Sequence, residues 1–568
     1  MLINGLTGRV GLPVFLALLT MGVSCARTSA PPRANGGAGA GGGAGGTGGS
    51  GGTGSGGVGG RLAPPPEVTE NPATCVEAAA YKSYVGCEFW PTVTYNPVYE
   101  VFDFAAVVAN PGDKPAEITV ARGGQMIATA TVAPHGLQKI VLPWVKELKG
   151  ASFNAATAMG RPIASVRVDG GAYRLTSTVP VTAWQFNPLQ YRKPAAVCTY
   201  PPTISNSDGM NCESVAADAA LLIPSAAMTG NYRVIGMTTM SDGSSYPDAP
   251  GGFTITGTQN GTKARVQLTG DLATGAGVAG GMKGTVVEFA LNAGDVIQLL
   301  GKPAAFAGPP PHADLSGSVV NADKPVQVIA YVPITNVPSP PKSGDCCADH
   351  LEELVLPAEA LGAHYIVSPP STNKGTNVGH YVTFYGNLPG TTLTYRGTMP
   401  MNAPTSLNPG DIVTVDATAG FEVTGSQAFA LSSIMKQGRT QNGCAGGSPD
   451  PTCYVGDPSM SIAVAVEQFR KEYVFLAPDD YPVSWADVLV PTGATVKLDG
   501  APLAGTIEAA STGWSVVRVH LGAGNSGEHK LESDQPVGLQ VMGYGHATSY
   551  YYPGGLNLKI ISKPPIVE

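Results

Sequence analysis

The chain has 568 residues, which is enough for several domains of ordinary size. Charged residues make up 13 percent of it, about half the usual share, and the formal net charge is -8. Nucleic-acid phosphates are bound by clustered Lys and Arg, and the sequence has no such cluster, so this composition argues against a nucleic-acid partner.

The N-terminus carries a short apolar run at residues 10–23, preceded by Arg9. A membrane-spanning helix needs about 20 apolar residues, so this run is too short to span a bilayer. A basic residue followed by a short apolar run is typical of a signal peptide, which we predict at residues 1–24.

Cys25 ends this segment, and the residues Gly22-Val23-Ser24-Cys25 resemble a lipobox. In that motif small residues precede a Cys that is lipidated and becomes the mature N-terminus, although an aliphatic residue usually stands where this chain has Gly22. The resemblance implies lipidation of Cys25. Ala26 is not Asp, as in lipoproteins sent to the outer membrane of Gram-negative bacteria, so we expect anchoring at the outer membrane or cell surface. The alternative is ordinary secretory cleavage near Ala26.

A Gly-rich segment follows the anchor, with 17 Gly among residues 36–60. A Gly-rich coil of this length spans roughly 25–30 Å. We therefore predict that residues 25–75 form the lipid-anchor Cys and a disordered tether.

Eight cysteines remain once Cys25 is set aside, and an even number in an exported chain favours disulfides. Their short separations predict three local pairs: Cys75 with Cys87, Cys198 with Cys212, and Cys444 with Cys453. Cys346 and Cys347 are then left either as a vicinal disulfide or as two free thiols.

Beyond the tether, short runs rich in β-branched and aromatic residues alternate with Pro and Gly, as at residues 102–108, 285–289 and 516–521. This pattern predicts an all-β protein. The best helix candidates are Asp349–Leu354 and residues 464–470.

Three sequence markers recur in the same order. A polar turn, then Pro or Ala, then an apolar strand occurs at residues 178–184, 323–329, 426–431 and 534–540. A second turn occurs at residues 291–297 and 407–413, and a Tyr-containing opening at residues 231–234, 364–367 and 472–475. We predict tandem β-sandwich modules near residues 76–197, 213–345, 346–440 and 454–563. The alternative is that such turns are common in any sandwich.

Residues 314–318, residues 324–328 and the run Asp349-His350-Leu351-Glu352-Glu353 resemble the IgG Fc-binding protein N-terminal domain family. The similarity continues through residues 456–459, 475–481 and 543–545. The most specific part is the signature formed by Cys347 and the Asp-His-Leu-Glu-Glu run. The resemblance implies a secreted adhesive or binding region without known catalysis.

The same acidic run is the strongest candidate for a reactive or metal site. In a helix, Asp349 would share a face with Glu352 or Glu353, and His350 could supply an imidazole ligand. No second His lies at ligand spacing, and no Gly-x-Ser-x-Gly elbow occurs. We therefore predict no catalytic residue, metal or cofactor, and we interpret the run as a short acidic helix that caps a sandwich end.

Tyr550 and Tyr552 would share one face of a strand near the C-terminus. An exposed pair of Tyr rings suits contact with a protein or a glycan. The alternative is packing beneath the last module.

Together these features predict a non-catalytic, lipid-anchored cell-envelope binding or adhesion protein. It would present tandem β modules to an unknown protein or glycan ligand and contact the membrane through its lipid anchor. Two alternatives remain at this point, a metal-dependent hydrolase centred on His350 and a structural subunit of an envelope assembly.

Overall fold

The computed structural model describes residues 70–152, 164–198, 211–214, 216–237, 250–302, 313–338, 347–444, 450–478, 481–522 and 527–565. Within these residues, three short α-helices occur among 34 strands: α1 Cys75–Tyr81, α2 Lys146–Lys149 and α3 Gly438–Asn442. None of the helices in this part of the chain has the length and apolar character needed to cross a membrane. The predicted all-β class is confirmed.

Module 1 is built from two sheets that share one long strand. Its strands are β1 Gly86–Phe89, β2 Phe104–Ala109, β3 Ala116–Arg122, β4 Gln125–Val132, β5 Leu137–Leu142, β6 Val166–Val168, β7 Arg174–Asn187, β8 Arg192–Pro194, β9 Asn211–Glu213 and β10 Asp218–Leu222. The first half of β7 pairs with β1 and β3, and β3 pairs with β4. The second half of β7 pairs with β2 and β10, and β2 pairs with β5.

Module 2 repeats this arrangement with the long strand divided in two. Its strands are β11 Asn231–Arg233, β12 Gly252–Gly257, β13 Thr262–Gln267, β14 Val286–Leu291, β15 Val296–Leu300, β16 Val319–Ala322, β17 Val326–Thr335 and β18 Asp349–Leu354. One sheet has the order β11-β16-β13-β14, and the other has the order β18-β17-β12-β15 with β6 of module 1 added at the edge.

Modules 3 and 4 have the same strand order. Module 3 consists of β19 His364–Val367, β20 His380–Tyr385, β21 Thr391–Gly397, β22 Ser406–Leu407, β23 Ile412–Ala417, β24 Phe421–Gly425, β25 Ala430–Ile434 and β26 Met460–Ile462. Its sheets are β19-β24-β21-β22 and β26-β25-β20-β23.

Module 4 consists of β27 Arg470–Leu476, β28 Val483–Pro491, β29 Val496–Leu498, β30 Ala501–Pro502, β31 Thr506–Ser511, β32 Trp514–Gly522, β33 Glu528–Gly545 and β34 Thr548–Pro553. Its long strand β33 runs through both sheets, as β7 does. All four modules are therefore sandwiches of one topology, and the prediction of tandem β-sandwich modules is confirmed.

Each module boundary lies later in the chain than the sequence markers placed it. The strand that opens the predicted second, third and fourth segments is instead the last strand of the preceding module, where it pairs with the strand that follows the sheet crossing: β10 with β7, β18 with β17, and β26 with β25. The helix predictions also fail, because Asp349–Leu354 is a strand and residues 464–470 contain a 3₁₀ helix, Val466–Gln468, followed by β27. Burial of both faces of β18 decides its conformation, and a polar sequence gives no periodic signal of such burial.

The recurring markers have structural causes. Pro180 and Pro536 lie where β7 and β33 pass from one sheet to the other, and Pro325 lies between β16 and β17. Pro has no N–H to give to a ladder, so the crossing point is the place where a strand tolerates it.

The second marker is a turn closed by its own aspartate. The carboxylate of Asp295 accepts the backbone N–H of Asn292 at 2.8 Å, and Asp411 accepts that of Asn408 at 2.7 Å. Gly294 and Gly410 in these turns have φ of +88° and +85°, a conformation that glycine adopts without strain.

The third marker is a buried tyrosine in the first strand of a module. The hydroxyls of Tyr232, Tyr365 and Tyr473 donate to the carbonyls of Val326, Phe429 and Val537, which lie at the sheet crossing of the same module. Each bond ties the entry strand of its module to the strand that crosses between sheets.

The four modules meet through their last strands. We call β10, β18, β26 and β34 the hub: β10 contacts β18 and β34, and β26 also contacts β18 and β34. The residues before β1 join module 4, since the Tyr84 N–H donates to the Leu556 carbonyl and the Leu558 N–H donates to the Lys82 carbonyl. Arg470 reinforces this closure with bonds to the Glu70 carbonyl at 2.7 Å and to the Asn557 side chain at 2.8 Å.

We expect Tyr365→Phe to lower the free energy of unfolding by about 1–2 kcal/mol, because it leaves the buried carbonyl of Phe429 without its donor. Chemical denaturation of the purified protein measures this change. The matched control is Tyr331→Phe, since the buried Tyr331 hydroxyl has no hydrogen-bond partner among the described residues. The control should leave stability unchanged or raise it, and equal losses in both variants would contradict the assigned role of the Tyr365 bond.

Candidate functional site

The acidic signature is the central strand of the hub. All six residues of β18 are buried, and Asp349, His350 and Glu352 are 0% exposed. The side chains on this strand therefore face other modules rather than solvent. The sequence interpretation of a helix that caps a sandwich end was wrong.

Glu352 joins module 2 to module 1. One carboxylate oxygen accepts the side-chain amide of Gln185 at 2.9 Å, and the other accepts Thr94 Oγ1 at 2.6 Å and Asn187 Nδ2 at 3.0 Å. The backbone N–H of Glu352 donates to Asp218 of module 1 at 3.1 Å.

His350 lies beside the same group of polar side chains. Its Nε2 lies 3.5 Å from Glu352 Oε2 and 3.4 Å from both Thr94 Oγ1 and Asn187 Nδ2. Its Nδ1 has no hydrogen-bond partner among the described residues. Because the ring is fully buried, substrate in solvent cannot reach it, and the geometry gives no support to a hydrolase centred on His350.

The other hub carboxyls also accept bonds from neighbouring modules. Asp218 accepts Ser459 Oγ of module 3 at 2.8 Å. Asp349 accepts Thr548 Oγ1 of module 4 at 3.2 Å, and Glu353 accepts the Ile462 N–H of module 3 at 3.4 Å. Thus the buried acidic residues link all four modules.

Asp457 lies just before β26, and its carboxyl has fewer hydrogen-bond donors than the carboxyls of the hub strands. Its backbone N–H donates to Ser549 Oγ at 2.8 Å. Neither of its carboxyl oxygens completes a hydrogen bond with a described residue, although the backbone amide of Cys347 faces the group and lowers its pKa somewhat. Within the described ranges, no three His, Cys, Asp or Glu side chains are placed to hold a metal ion.

Burial raises the pKa of Asp218, Asp349, Glu353 and Asp457 well above the usual value. Repulsion adds to burial, because Asp457 raises the pKa of Asp349, and Asp349 raises that of Asp218. The folded hub therefore favours protonated carboxyls, which are less costly to bury than carboxylates.

Tyr550 and Tyr552 share a face, with ring centroids 5.7 Å apart, but that face is internal. Both residues are 0% exposed. Their rings pack against Phe186 and Trp184 of module 1. They are therefore packing residues between modules 4 and 1, and the hypothesis that they contact a ligand was wrong.

The three predicted local disulfides are present, with Cα–Cα distances of 5.7 Å for Cys75–Cys87, 6.4 Å for Cys198–Cys212 and 5.8 Å for Cys444–Cys453. Cys347 is also disulfide-bonded, which excludes a pair of free thiols. Cys25 and Cys346 lie outside the described residues, so lipidation and the vicinal bond stay predictions.

Sequence reasoning missed the arginines that join modules. Arg518 of module 4 is fully buried, and it pairs with Asp487 at 2.8 Å and donates to the Pro369 carbonyl of module 3 at 3.0 Å. Arg233 of module 2 donates to the Asn387 carbonyl of module 3 at 3.5 Å. Isolated arginines among β runs carry no sequence signal for such contacts, since a lone basic residue is usually exposed.

Comparison with known proteins gives one family match. The family model described as IgGFc binding protein matches residues 218–543, more than half of the chain. The match begins at the first residue of β10 and extends through modules 2 and 3 into β33 of module 4. No curated protein matches the chain.

We expect the hub to make the protein more stable in mild acid than in mild alkali. Carboxyls with a raised folded-state pKa keep protons that the unfolded chain loses above about pH 4, so stability falls as pH rises toward the folded-state pKa. His380, whose pKa burial lowers to about 3, has the opposite effect up to about pH 6.5. We therefore expect the thermal midpoint to fall between pH 6.5 and pH 8.

Asp457→Asn tests this origin, because it removes one buried titrating group whose pKa burial raises well above the usual value. The variant should have a higher thermal midpoint than the wild type at pH 8 and a shallower dependence on pH, by up to about 1.4 kcal/mol per pH unit. Asp113→Asn, at a side chain that is 94% exposed, is the matched control. An identical pH profile for wild type and Asp457→Asn would contradict the assignment.

Proposed function

Because the chain belongs to the IgG Fc-binding protein family, we propose that it is a lipid-anchored cell-envelope protein that binds its ligand without transforming it. The proposal joins the family match, which covers modules 2 and 3 and most of module 4, to the signal and anchor features of the N-terminus. It assigns ligand binding to the modules. It assigns export, membrane anchoring and the distance between the modules and the membrane to the first 75 residues.

The observation that carries the binding role is the location of the family signature. Its acidic residues and its histidine are buried in the hub, where they bond to other modules. These residue types would supply acid, base or metal chemistry in an exposed cleft, but here they hold a scaffold together. Ligand contact is then left to the turns, sheet edges and clefts on the outside of the modules.

The anchoring role is supported by the order of features in the sequence. A short apolar run, the lipobox-like Cys25 and a Gly-rich tether follow one another. A lipid anchor with more than one acyl chain holds a protein stably at a membrane. The tether would then carry the modules some tens of ångströms from the bilayer surface.

The family description favours a protein ligand, with immunoglobulin Fc as the first one to test. The Cys25→Ser chain would be immobilised and exposed to purified Fc fragment, to Fab fragment as a matched control, and to a whole envelope extract. Saturable retention of a protein or glycan, released without chemical change, supports the proposal. No saturable binding, or covalent conversion of the retained material, would contradict it.

We expect Cys25→Ser to move the protein from the membrane fraction to the soluble fraction, because the thiol that carries the acyl chains is gone. Fractionation of intact cells followed by mass spectrometry of the mature N-terminus measures this. Ser29→Ala, four positions beyond the anchor, should leave the protein in the membrane fraction. Membrane retention of the Cys25→Ser variant would disprove the anchor.

A further inference from the structure

An open cleft of about 660 Å³ lies where module 1 faces module 2. Module 1 supplies the turn between β3 and β4 and the residues that lead into β7. Module 2 supplies the β12–β13 turn and the β14–β15 turn. This volume is typical of sites for small ligands, which occupy about 300–1,000 Å³.

Arg122 supplies the free charge of this cleft. It ends β3, is half-buried, and holds its guanidinium 5.5 Å from the centroid of the Tyr173 ring. Stacking on an aromatic ring fixes the plane of the guanidinium. The described residues give Arg122 no carboxylate partner, although its fork of donors suits one.

The acidic groups near the cleft are already paired. Asp295 accepts from Arg167 at 3.2 Å, from the Gly170 N–H at 2.9 Å and from the Asn292 N–H at 2.8 Å. Glu88 pairs with Arg174 at 2.6 Å. Asp169 also pairs with Arg167, at 2.7 Å, so arginines and carboxylates around the cleft are equal in number. Among the described residues, Arg122 is the arginine of this group that has no carboxylate partner.

Glycines, alanines and two side-chain amides make up most of the rest of the lining. Gly123 and Gly124 have φ of +55° and +81°, as a tight hairpin turn requires, and no atom lies within 4 Å of where a Cβ would stand on either. Gln259 and Asn260 are exposed and border the same cleft. Trp90 lies beneath Gly294, so it presents no open ring plane.

This lining favours a saccharide over a peptide. Peptides are usually taken up by a free sheet edge or an apolar groove, whereas most residues that border this cleft lie in turns, among them the amides Gln259 and Asn260. Amide groups bond hydroxyls, and a guanidinium bonds a carboxylate in a fixed plane.

We propose that this cleft binds a carboxylated saccharide, a uronic or sialic acid unit of a glycan. Arg122 pairs with the carboxylate, and the side-chain amides of Gln259 and Asn260 bond the ring hydroxyls. This inference rests on the binding function proposed above and names a ligand class for one of its surfaces. Arg122 lies in module 1, outside the residues that match the family, whereas Gln259 and Asn260 lie within them.

Titration calorimetry of the full chain tests the site with trigalacturonic acid, sialyllactose and lactose. At least one acidic saccharide should bind, with affinity that falls as salt is raised, while lactose should not. Arg122→Gln should weaken that binding at least tenfold, since a hydrogen bond to a charged group is lost. Arg265→Gln, at an exposed arginine paired with Glu288, should not weaken it.

A second variant tests whether binding needs the open cleft as well as the charge of Arg122. Ala293→Trp places a bulky ring at an exposed position that borders the cleft and leaves Arg122 unchanged, and it should also abolish binding. Thermal unfolding of each variant confirms that it is folded. If neither acidic saccharide binds, or Arg122→Gln binds as well as the wild type, the site is wrong. Retention of Fc or envelope material by the Arg122→Gln, Cys25→Ser chain would then show that the proposed function stands without this site.

Discussion

The structure depends on the burial of acidic side chains where the four modules meet. A buried carboxyl is costly unless its hydrogen bonds are satisfied, and the donors come from neighbouring modules. Glu352 accepts hydrogen bonds from the side chains of Gln185, Thr94 and Asn187 of module 1. Asp349 accepts one from Thr548 of module 4. A module separated from its neighbours would therefore lose the donors that make burial of its last strand tolerable.

The repeated sandwich explains how such a hub is formed. In every module the chain crosses between the two sheets, within one strand in modules 1 and 4 and between two strands in modules 2 and 3. The last strand of each module pairs with the part of the chain that follows this crossing, and it contacts other modules. Because all four modules have the same topology, each has its last strand at the same edge of its sheet, and these four strands contact one another in the hub. Arg470 and the residues around Asn557 bind residues 70–84, so that module 1 and module 4 also become neighbours.

This arrangement separates the scaffold from the binding surface. The residues of the family signature hold the hub together, and Tyr550 and Tyr552 pack between modules. The outside of the modules is made of turns whose sequences can vary without disturbing the hub, because they contribute little to the buried core. The cleft at Arg122 is of this kind, since it is formed mainly by turns of modules 1 and 2 and by a guanidinium with no carboxylate partner among the described residues.

The amino-acid sequence by itself determined the all-β class, the tandem repeat and the three short-range disulfides, because turns, strand patterning and nearby cysteines are local signals. It did not determine the conformation of Asp349–Leu354, where tertiary burial on both faces turned a polar run into a strand. It also could not place Arg122 beside Gln259, or Tyr550 beside Phe186, because those contacts join residues far apart in the chain. Only the meeting of four sandwiches decided which polar groups became internal acceptors and which stayed open to a ligand.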